Sequence, residues 1–439
     1  VVLELANVYL SADFNRDGQL DVVAGRNWYA APDFTPRPVR SIEDWNGYVQ
    51  SNGDYAYDVD GDGWMDVIAG SFIPTEVHWY RNPGARSLEL GKLWEKKLLV
   101  DTAASSNEGQ LLADLNGDGQ PEWVVNSWKK NSPVLVWQFA QPALPAGAES
   151  ARVTGQAGPA APTLKKVVIN EQGNGHGLGV GDLDGDGRVD LLCGAGWYQQ
   201  PADKPFETEW TYHADWEFSA SLPVLVRDLN GDGRNDVILG AGHNFGLFWW
   251  EQGLPADNGK LTWTKHTIDD RYSQPHALLL VDLDGDGQDE LVTGKRYYAH
   301  NGKDPGGEMP PCMYYYEIEL QNSKVTFRRH TIDEGRVGCG LQIRSADLNG
   351  DGRQDLAVAG KSGTYVMFNR GQIIRDQIGA SAEAADRVYL GRTASAIEIR
   401  ELEPEITYLN RVRLIVRTFD GAETVHRPSD ERLVHGDAS

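Results

Sequence analysis

A nine-residue acidic motif recurs seven times in this chain of 439 residues and limits the folds that the chain can adopt. Each copy reads Asp-x-[Asp/Asn]-x-Asp-Gly-x-x-[Asp/Glu], and the copies begin at Asp13, Asp58, Asp114, Asp182, Asp228, Asp282 and Asp347. Oxygen ligands at positions 1, 3, 5 and 9 can converge on a hard cation, and the glycine at position 6 permits the turn that this requires. The motif therefore predicts seven structural Ca²⁺ or Mg²⁺ loops.

The predicted ligands of these structural cations share positions 1, 3, 5 and 9 of the motif. They are Asp13, Asn15, Asp17, Asp21, Asp58, Asp60, Asp62, Asp66, Asp114, Asn116, Asp118, Glu122, Asp182, Asp184, Asp186, Asp190, Asp228, Asn230, Asp232, Asp236, Asp282, Asp284, Asp286, Glu290, Asp347, Asn349, Asp351 and Asp355. The copies that begin at Asp58, Asp182 and Asp282 carry four acids each, so we expect them to bind most tightly.

Apolar, extended segments flank the motif, as in residues 278–281 (LLLV) before one copy and residues 291–293 (LVT) after it. This pattern predicts that each acidic loop joins two strands, A and B, and not two helices. Seven copies at intervals of 45 to 68 residues predict seven repeated sheets. The expected fold class is all-β, a seven-bladed β-propeller with four strands in each blade.

The predicted propeller covers residues 1–370, and residues 371–439 carry no further copy of the motif. This C-terminal β tail is expected either to close the ring or to form a small appended module. It contains an alternating strand over residues 411–419, followed by an Asp420-Gly421 hairpin turn. The last outer strand could come from the tail or from residues 1–5, and residues 141–163 are expected to form a surface loop in the third blade.

The formal net charge of −23 is explained by the acidic loops, which hold 24 carboxylates and leave about +1 for the rest of the chain. This distribution argues against a nucleic-acid partner.

No stretch approaches the ~18 apolar residues of a membrane span, and three cysteines form no disulfide framework or metal motif. Loops that bind calcium through carboxylates favour a secreted or periplasmic protein.

Residues six positions before each motif lie at the entry to strand A, roughly 20 Å from the acidic loops and beside the central funnel. This register contains Asn7, Asn52, Glu108, His176, Leu222, His276 and Leu341. Glu108, His176 and His276 could share one divalent ion, because two histidines and a carboxylate with an open position suit catalytic zinc. The sequence thus predicts a Zn²⁺ site at the funnel mouth.

The loops between strands B and C reach the same face and are rich in residues that bind or transform sugars. His243, His300 and Tyr297 are the candidate catalytic residues, since they can transfer protons. The candidate substrate-binding residues, which stack on sugar rings or hold their oxygens, are Trp28, Trp197, Lys295, Arg296 and Asn244. We therefore expect a carbohydrate-sized pocket on this face.

The acidic repeats over residues 1–370 resemble the FG-GAP/VCBS class of propeller repeats. The segment from Gly294 to Tyr316, together with His176 and His276, resembles the propeller domain of the aldos-2-ulose (1,5-anhydrofructose) dehydratases. That resemblance implies zinc in the propeller cleft and a histidine that transfers protons. The sequence departs from that family in lacking its long cupin and lectin-like portion after the propeller, so the resemblance extends to the dehydratase half of the chemistry.

The resulting functional prediction is a carbon–oxygen lyase that performs metal-assisted β-elimination on a keto-sugar such as 1,5-anhydrofructose. A polysaccharide lyase acting on uronate-containing glycans would use the same chemistry and is one alternative. A non-catalytic sugar-binding or adhesion propeller is another. A lectin would be expected to repeat its pocket around the ring, whereas the histidines and cations here are confined to a few blades, which favours the enzyme.

Overall fold

The computed structural model describes residues 11–45, 48–72, 74–103, 107, 109–130, 132–140, 162–218, 220–372, 395–404, 413–417 and 423–426. These residues form seven antiparallel sheets that follow one another along the chain, which confirms the all-β seven-bladed propeller. The only elements outside the sheets in this part of the chain are a short hairpin, helix α1 (Ala85–Glu89) and a 3-10 turn (Ala299–Gly302). None of the described helices is long and apolar enough to cross a membrane.

Each blade is built from consecutive strands. Blade 1 has β1 (Ser11–Ala12), β2 (Asp21–Ala24), β3 (Asn27–Ala30) and β4 (Thr35–Pro38), and the hairpin β5 (Asp44–Trp45) and β6 (Tyr48–Val49) follows it. Blade 2 has β7 (Gly53–Tyr57), β8 (Asp66–Gly70), β9 (Glu76–Arg81) and β10 (Glu95–Asp101). Blade 3 has β11 (Gln110–Ala113), β12 (Glu122–Val125), β13 (Val134–Ala140) and β14 (Thr163–Asn170). Blade 4 has β15 (Leu178–Gly181), β16 (Asp190–Cys193), β17 (Gly196–Gln199) and β18 (Thr211–His213).

The remaining three blades repeat the arrangement. Blade 5 has β19 (Leu225–Arg227), β20 (Asp236–Gly240), β21 (Phe245–Gln252) and β22 (Trp263–Ser273). Blade 6 has β23 (Pro275–Val281), β24 (Glu290–Lys295), β25 (Cys312–Gln321) and β26 (Lys324–Glu334). Blade 7 has β27 (Gln342–Ala346), β28 (Asp355–Gly360), β29 (Gly363–Gln372), β30 (Ser395–Pro404), β31 (Arg413–Arg417) and β32 (Glu423–His426).

Blade 7 takes its fourth strand from the C-terminal tail, because β30 pairs antiparallel with β29. Strands β31 and β32 extend the same sheet to six strands. The boundary at residue 370 falls inside β29. Residues 1–5, the other candidate source of the outer strand, lie outside the described residues, as do the predicted turn at 420–421 and most of the predicted loop at 141–163, whose last residue begins β14.

Seven hydrophobic clusters fill the spaces between neighbouring blades in the described part of the chain. Each cluster draws side chains from two adjacent sheets, as where Val22 and Tyr29 of blade 1 pack with Val366 and Phe368 of blade 7. That cluster joins the first blade to the last, so the ring is closed. Aromatic residues of the third strands lie in these clusters, as expected; Trp79, for example, is 1% exposed between blades 2 and 3.

The acidic motifs all join the first and second strands of their blades, as the sequence predicts. The carboxylate at position 1 accepts the backbone N–H of the glycine at position 6, as from Gly18 to Asp13 at 2.8 Å. In three copies, carboxylate oxygens lie within 4.8 Å of one another: Asp58, Asp60 and Asp62; Asp182, Asp184 and Asp190; and Asp282, Asp284 and Glu290. These are the three copies with four acids, and cation binding by them stays a prediction.

The carboxylate at position 9 has a structural role that the motif alone did not reveal. Asp21 accepts the backbone N–H of Phe14 at 3.0 Å and that of Ala31 at 2.9 Å. The same pair of bonds recurs at Asp66, Asp190, Asp236 and Asp355. Each of these buried carboxylates therefore ties the start of its loop to the end of the third strand.

Candidate functional site

Three histidines from consecutive blades meet on the face opposite the acidic loops. His176 precedes β15, His243 lies between β20 and β21, and His276 is the second residue of β23. Their ring centroids are 4.5 Å apart for His176 and His243, 5.2 Å for His176 and His276, and 5.8 Å for His243 and His276. One ring nitrogen from each lies within 4.8 Å of the others, so the three can hold a metal ion together.

Two of these rings are anchored through Nδ1. His176 donates from Nδ1 to the carbonyl oxygen of Ala220 at 2.7 Å, since a carbonyl can only accept. His243 donates from Nδ1 to the carboxylate of Asp304 at 2.9 Å. A neutral ring that carries its proton on Nδ1 has an unprotonated Nε2, which is the form in which an imidazole binds a metal.

The two Nε2 atoms lie 2.7 Å apart. Two lone pairs at this separation repel each other, so the arrangement requires either a shared extra proton or a cation between the rings. Anchoring of the distal nitrogen by a carbonyl or a carboxylate is the usual support of metal-binding histidines. The donor set therefore fits a transition metal.

Asp304 joins this cluster to His300. Its Oδ2 accepts from His243, and its Oδ1 accepts from Nδ1 of His300 at 2.9 Å. The two imidazoles stack with centroids 4.7 Å apart and planes 5° from parallel. Burial raises the pKa of Asp304, but the hydrogen bonds from His243 and His300 outweigh it and hold the pKa below its ordinary value. Asp304 is thus a carboxylate that orients both rings.

The backbone around the cluster is tightly fixed. The amide of Asn126 donates to the carbonyl oxygens of Gly175 and Gly177, at 2.9 and 2.7 Å, and so holds both sides of His176. A Cβ on Gly242 would lie 3.0 Å from Cε1 of His176 and 3.1 Å from Cδ2 of His276, so glycine lets the B–C loop of blade 5 approach the rings. His300 itself has φ 47°, a left-handed conformation that is uncommon for non-glycine residues.

The structure brings together His176 and His276 of the predicted metal set, and adds His243, which the sequence analysis assigned to proton transfer. Glu108, the third predicted ligand, and Asn7 lie outside the described residues. Leu222, Asn52 and Leu341, from the same register, line the central channel. Asp304 was not singled out from the sequence; its spacing of four residues from His300, just before a Pro-Gly-Gly turn, is the signal that could have identified it.

Three predicted substrate-binding residues require correction. Trp28 and Trp197 lie in strands β3 and β17 and not in loops; they are 1% and 2% exposed, and their rings fill inter-blade clusters. Lys295 is fully buried, where Nζ donates to the carbonyl oxygen of Gly307 at 3.2 Å, and burial lowers its pKa. None of the three can touch a sugar in this structure.

Other residues of the face are accessible. Asn244 is exposed beside His243, and Arg296 and Tyr297 are half-buried at the start of the loop that carries His300. Phe245, which begins β21 two residues after His243, is 37% exposed, and Tyr298, two residues before His300, is 40% exposed. These two rings are the aromatic surfaces nearest in sequence to the histidines, in place of Trp28 and Trp197.

Comparison with known proteins supports the repeat assignment. Residues 58–125 and 228–293 match the FG-GAP-like repeat, and residues 174–204 match the FG-GAP repeat. The chain therefore contains FG-GAP repeats, which confirms that part of the resemblance. No curated protein matches the chain as a relative.

Two solved structures are among those that match along most of the chain. The biofilm matrix protein Bap1 of V. cholerae is 15% identical, with a TM-score of 0.35, over 90% of this chain and 62% of that chain. The Tc holotoxin pore of Photorhabdus luminescens is 14% identical, with a TM-score of 0.30, over 89% of this chain and 20% of that chain. The chain thus spans less than two thirds of the length of either.

Proposed function

We propose that this propeller is a carbohydrate lyase that carries out metal-assisted β-elimination at the histidine cluster. The observation that carries the proposal is the pair of Nδ1-anchored imidazoles, His176 and His243, whose Nε2 atoms face each other at 2.7 Å. Facing nitrogens at this distance need a positive charge, which a shared proton or a metal ion can supply. The third ring, His276, offers a further nitrogen within 4.8 Å, and this favours a metal ion.

His176, His243 and His276 would hold the metal, and imidazole donors suit zinc and similar transition metals better than calcium. Such an ion would supply a Lewis acid for the negative charge that develops on the substrate oxygen next to the carbon losing its proton. In this proposal His243 is a metal ligand and not the proton-transfer residue that the sequence analysis suggested. Glu108 stays a candidate ligand from the shared register.

His300 is the best-placed proton carrier of the chain's own residues. It is 55% exposed, and Asp304 holds its Nδ1, which leaves Nε2 to exchange a proton with the substrate. An imidazole oriented in this way can remove the α-proton or protonate the leaving oxygen. Tyr297 is the second candidate for the leaving-group proton.

The substrate proposed is a keto-sugar such as 1,5-anhydrofructose, held by Asn244 and Arg296 and stacked on Phe245 or Tyr298. Burial of Lys295 removes one of the two cations expected to bind a uronate carboxylate, and this favours a neutral sugar over a uronate-containing glycan. The acidic loops would hold structural Ca²⁺, and a secreted or periplasmic location fits that requirement.

The test combines metal analysis with an assay for unsaturated product on keto-sugars and on uronate polymers. His176→Ala is expected to lose bound metal and turnover together. His300→Ala is expected to keep the metal while turnover falls by roughly 10²–10⁴-fold. His266→Ala is the matched control and should retain both metal and turnover. This histidine lies on the outer strand of blade 5 and pairs with Glu251 of the third strand.

Two outcomes would contradict the proposal. If the metal-loaded protein binds sugars without releasing unsaturated product from either substrate class, the propeller is a sugar-binding protein. If His176→Ala and the unmodified protein hold the same amount of transition metal, the cluster is a pair of rings that share a proton.

A further inference from the structure

A half-buried arginine lines the central channel of the propeller. Arg344 belongs to β27, the first strand of blade 7, and lines the channel with Asn52, Tyr55, Gln110 and Gln342. These residues come from the first strands of three blades or from the residues just before them. The channel segment is small: the space open to the centres of water-sized groups is about 10 Å³.

Arg344 has no acidic partner among the described residues. Its guanidinium donates from an Nη1 N–H to the carbonyl oxygen of Ile343 at 3.0 Å, while its Nε is enclosed without a hydrogen-bond partner in the described part of the chain. Burial lowers the pKa of Arg344, yet an arginine keeps its charge in proteins. A charge whose Nε is enclosed without a partner among the described residues favours a negative group beside it.

The other polar groups around Arg344 are amides and a hydroxyl, and none carries negative charge. Gln342 holds a buried Nε2 that makes no hydrogen bond within the described residues, and the side chain approaches the Tyr55 hydroxyl. The amide of Asn52 donates to the carbonyl oxygen of Asn107 at a long 3.4 Å. Leu111, Leu222, Pro223 and Leu341 complete the lining, and their apolar surface strengthens electrostatic attraction in the channel.

We propose that the channel binds one small monovalent anion, of chloride size, on the guanidinium of Arg344 and the amide of Gln342. A charge-assisted N–H donor and an amide donor are the usual partners of such an ion. The narrowness of the segment excludes a sugar. Both ligands lie on β27 of blade 7, beside lining residues from blades 2 and 3, so the anion would neutralise a charge where three blades meet.

Bromide is the probe. A crystal grown in calcium and bromide should show an anomalous peak within ion-pair distance of the Arg344 guanidinium, about 4 Å. At constant ionic strength, the melting temperature should rise on the order of 1–3 °C for each tenfold increase in bromide above the Kd. Arg344→Met should abolish that rise. Arg227→Met should keep it, because this arginine also lies on a first strand but already pairs with Asp289.

If Arg344→Met does not fold, the bromide crystal of the unmodified protein still tests the proposal. A channel without an anomalous peak, or a bromide effect of equal size in Arg344→Met, overturns the proposal. Glu108 lies six residues before its motif and outside the described residues. The Glu108→Gln variant therefore tests whether this carboxylate, instead of an external anion, is the counter-ion of Arg344. If the peak appears in Glu108→Gln and not in the unmodified protein, the counter-ion is the chain's own carboxylate and the proposal fails.

Discussion

Asp304 takes its role in the site from the two imidazoles that donate hydrogen bonds to it. It lies in the B–C loop of blade 6, yet it fixes the tautomer of His243 from blade 5 and that of His300 from its own loop. Its pKa lies below the ordinary value because both imidazoles donate to it. The carboxylate therefore stays ionised at neutral pH and supports the ligand and the proton carrier at once.

Asp304→Asn is expected to weaken transition-metal binding by about 10–100-fold, because the amide cannot hold His243 with the same charge. Turnover at saturating metal should fall further than metal binding explains, since His300 also loses its orientation. Metal titration followed by calorimetry, with kcat measured at saturating metal, separates the two effects. Asp257→Asn, at an exposed aspartate of blade 5, should change neither. Unaltered metal affinity in Asp304→Asn would remove the supporting role proposed here.

At the scale of elements, blades 5 and 6 are joined by a polar contact as well as by apolar packing. Asp269 of β22 is fully buried at its side chain and accepts hydrogen bonds from Arg271 at 2.7 and 2.9 Å. It also accepts from the Tyr316 hydroxyl of β25 at 3.0 Å. Burial raises the pKa of Asp269, but these bonds outweigh it and the pKa lies below its ordinary value.

Asp269→Asn should therefore lower the free energy of unfolding by about 1.5–3 kcal/mol at pH 7, the range for a buried charged hydrogen bond. The folded-state pKa is depressed, so the stabilisation is present above the unfolded value of about 3.9 and is lost as the pH falls through the folded value. The difference between variant and unmodified protein should shrink below about pH 4. Chemical denaturation at pH 7 and pH 3.5 measures it, with the exposed neighbour in Asp270→Asn as the control. A difference that does not change with pH would contradict the ion-pair account.

The whole molecule is a closed ring in which each blade carries an acidic loop between its first and second strands, on one face. Burial raises the pKa of Asp66, Asp190 and Glu290 to about 8, so their ionised forms call for a positive partner at neutral pH. We expect Ca²⁺ to stabilise the native state, at about 2.7 kcal/mol per site when calcium is 100-fold above the Kd.

Chelation should accordingly lower the melting temperature, and readdition of Ca²⁺ should restore it. Asp184→Asn, in a loop with four acids, should reduce the number of tight sites by one, whereas Asp203→Asn, an exposed aspartate outside the motifs, should leave it unchanged. Scanning calorimetry and calcium titration give both quantities. An identical melting curve after verified removal of metal would show that the loops do not stabilise the ring through cations.

The sequence by itself determined the blade number and the order of strands, because these depend on local patterns. An acidic turn of nine residues with an apolar strand on each side fixes its own conformation, and seven copies fix seven sheets. The same register placed His176 and His276 at equivalent entries to first strands, and the structure brings their rings within 5.2 Å. Their positions relative to the repeat were enough to predict that these two histidines lie close together.

Only the tertiary structure decided which side chains complete the site and which fill the core. The B–C loops have no periodicity, so the sequence did not show that His243 faces His176 or that Asp304 bridges two imidazoles. It also could not separate Trp28, Trp197 and Lys295, which are buried, from the exposed Phe245 and Tyr298. Side-chain direction there depends on packing between neighbouring blades and within each blade, and that packing exists only once the sheets have assembled.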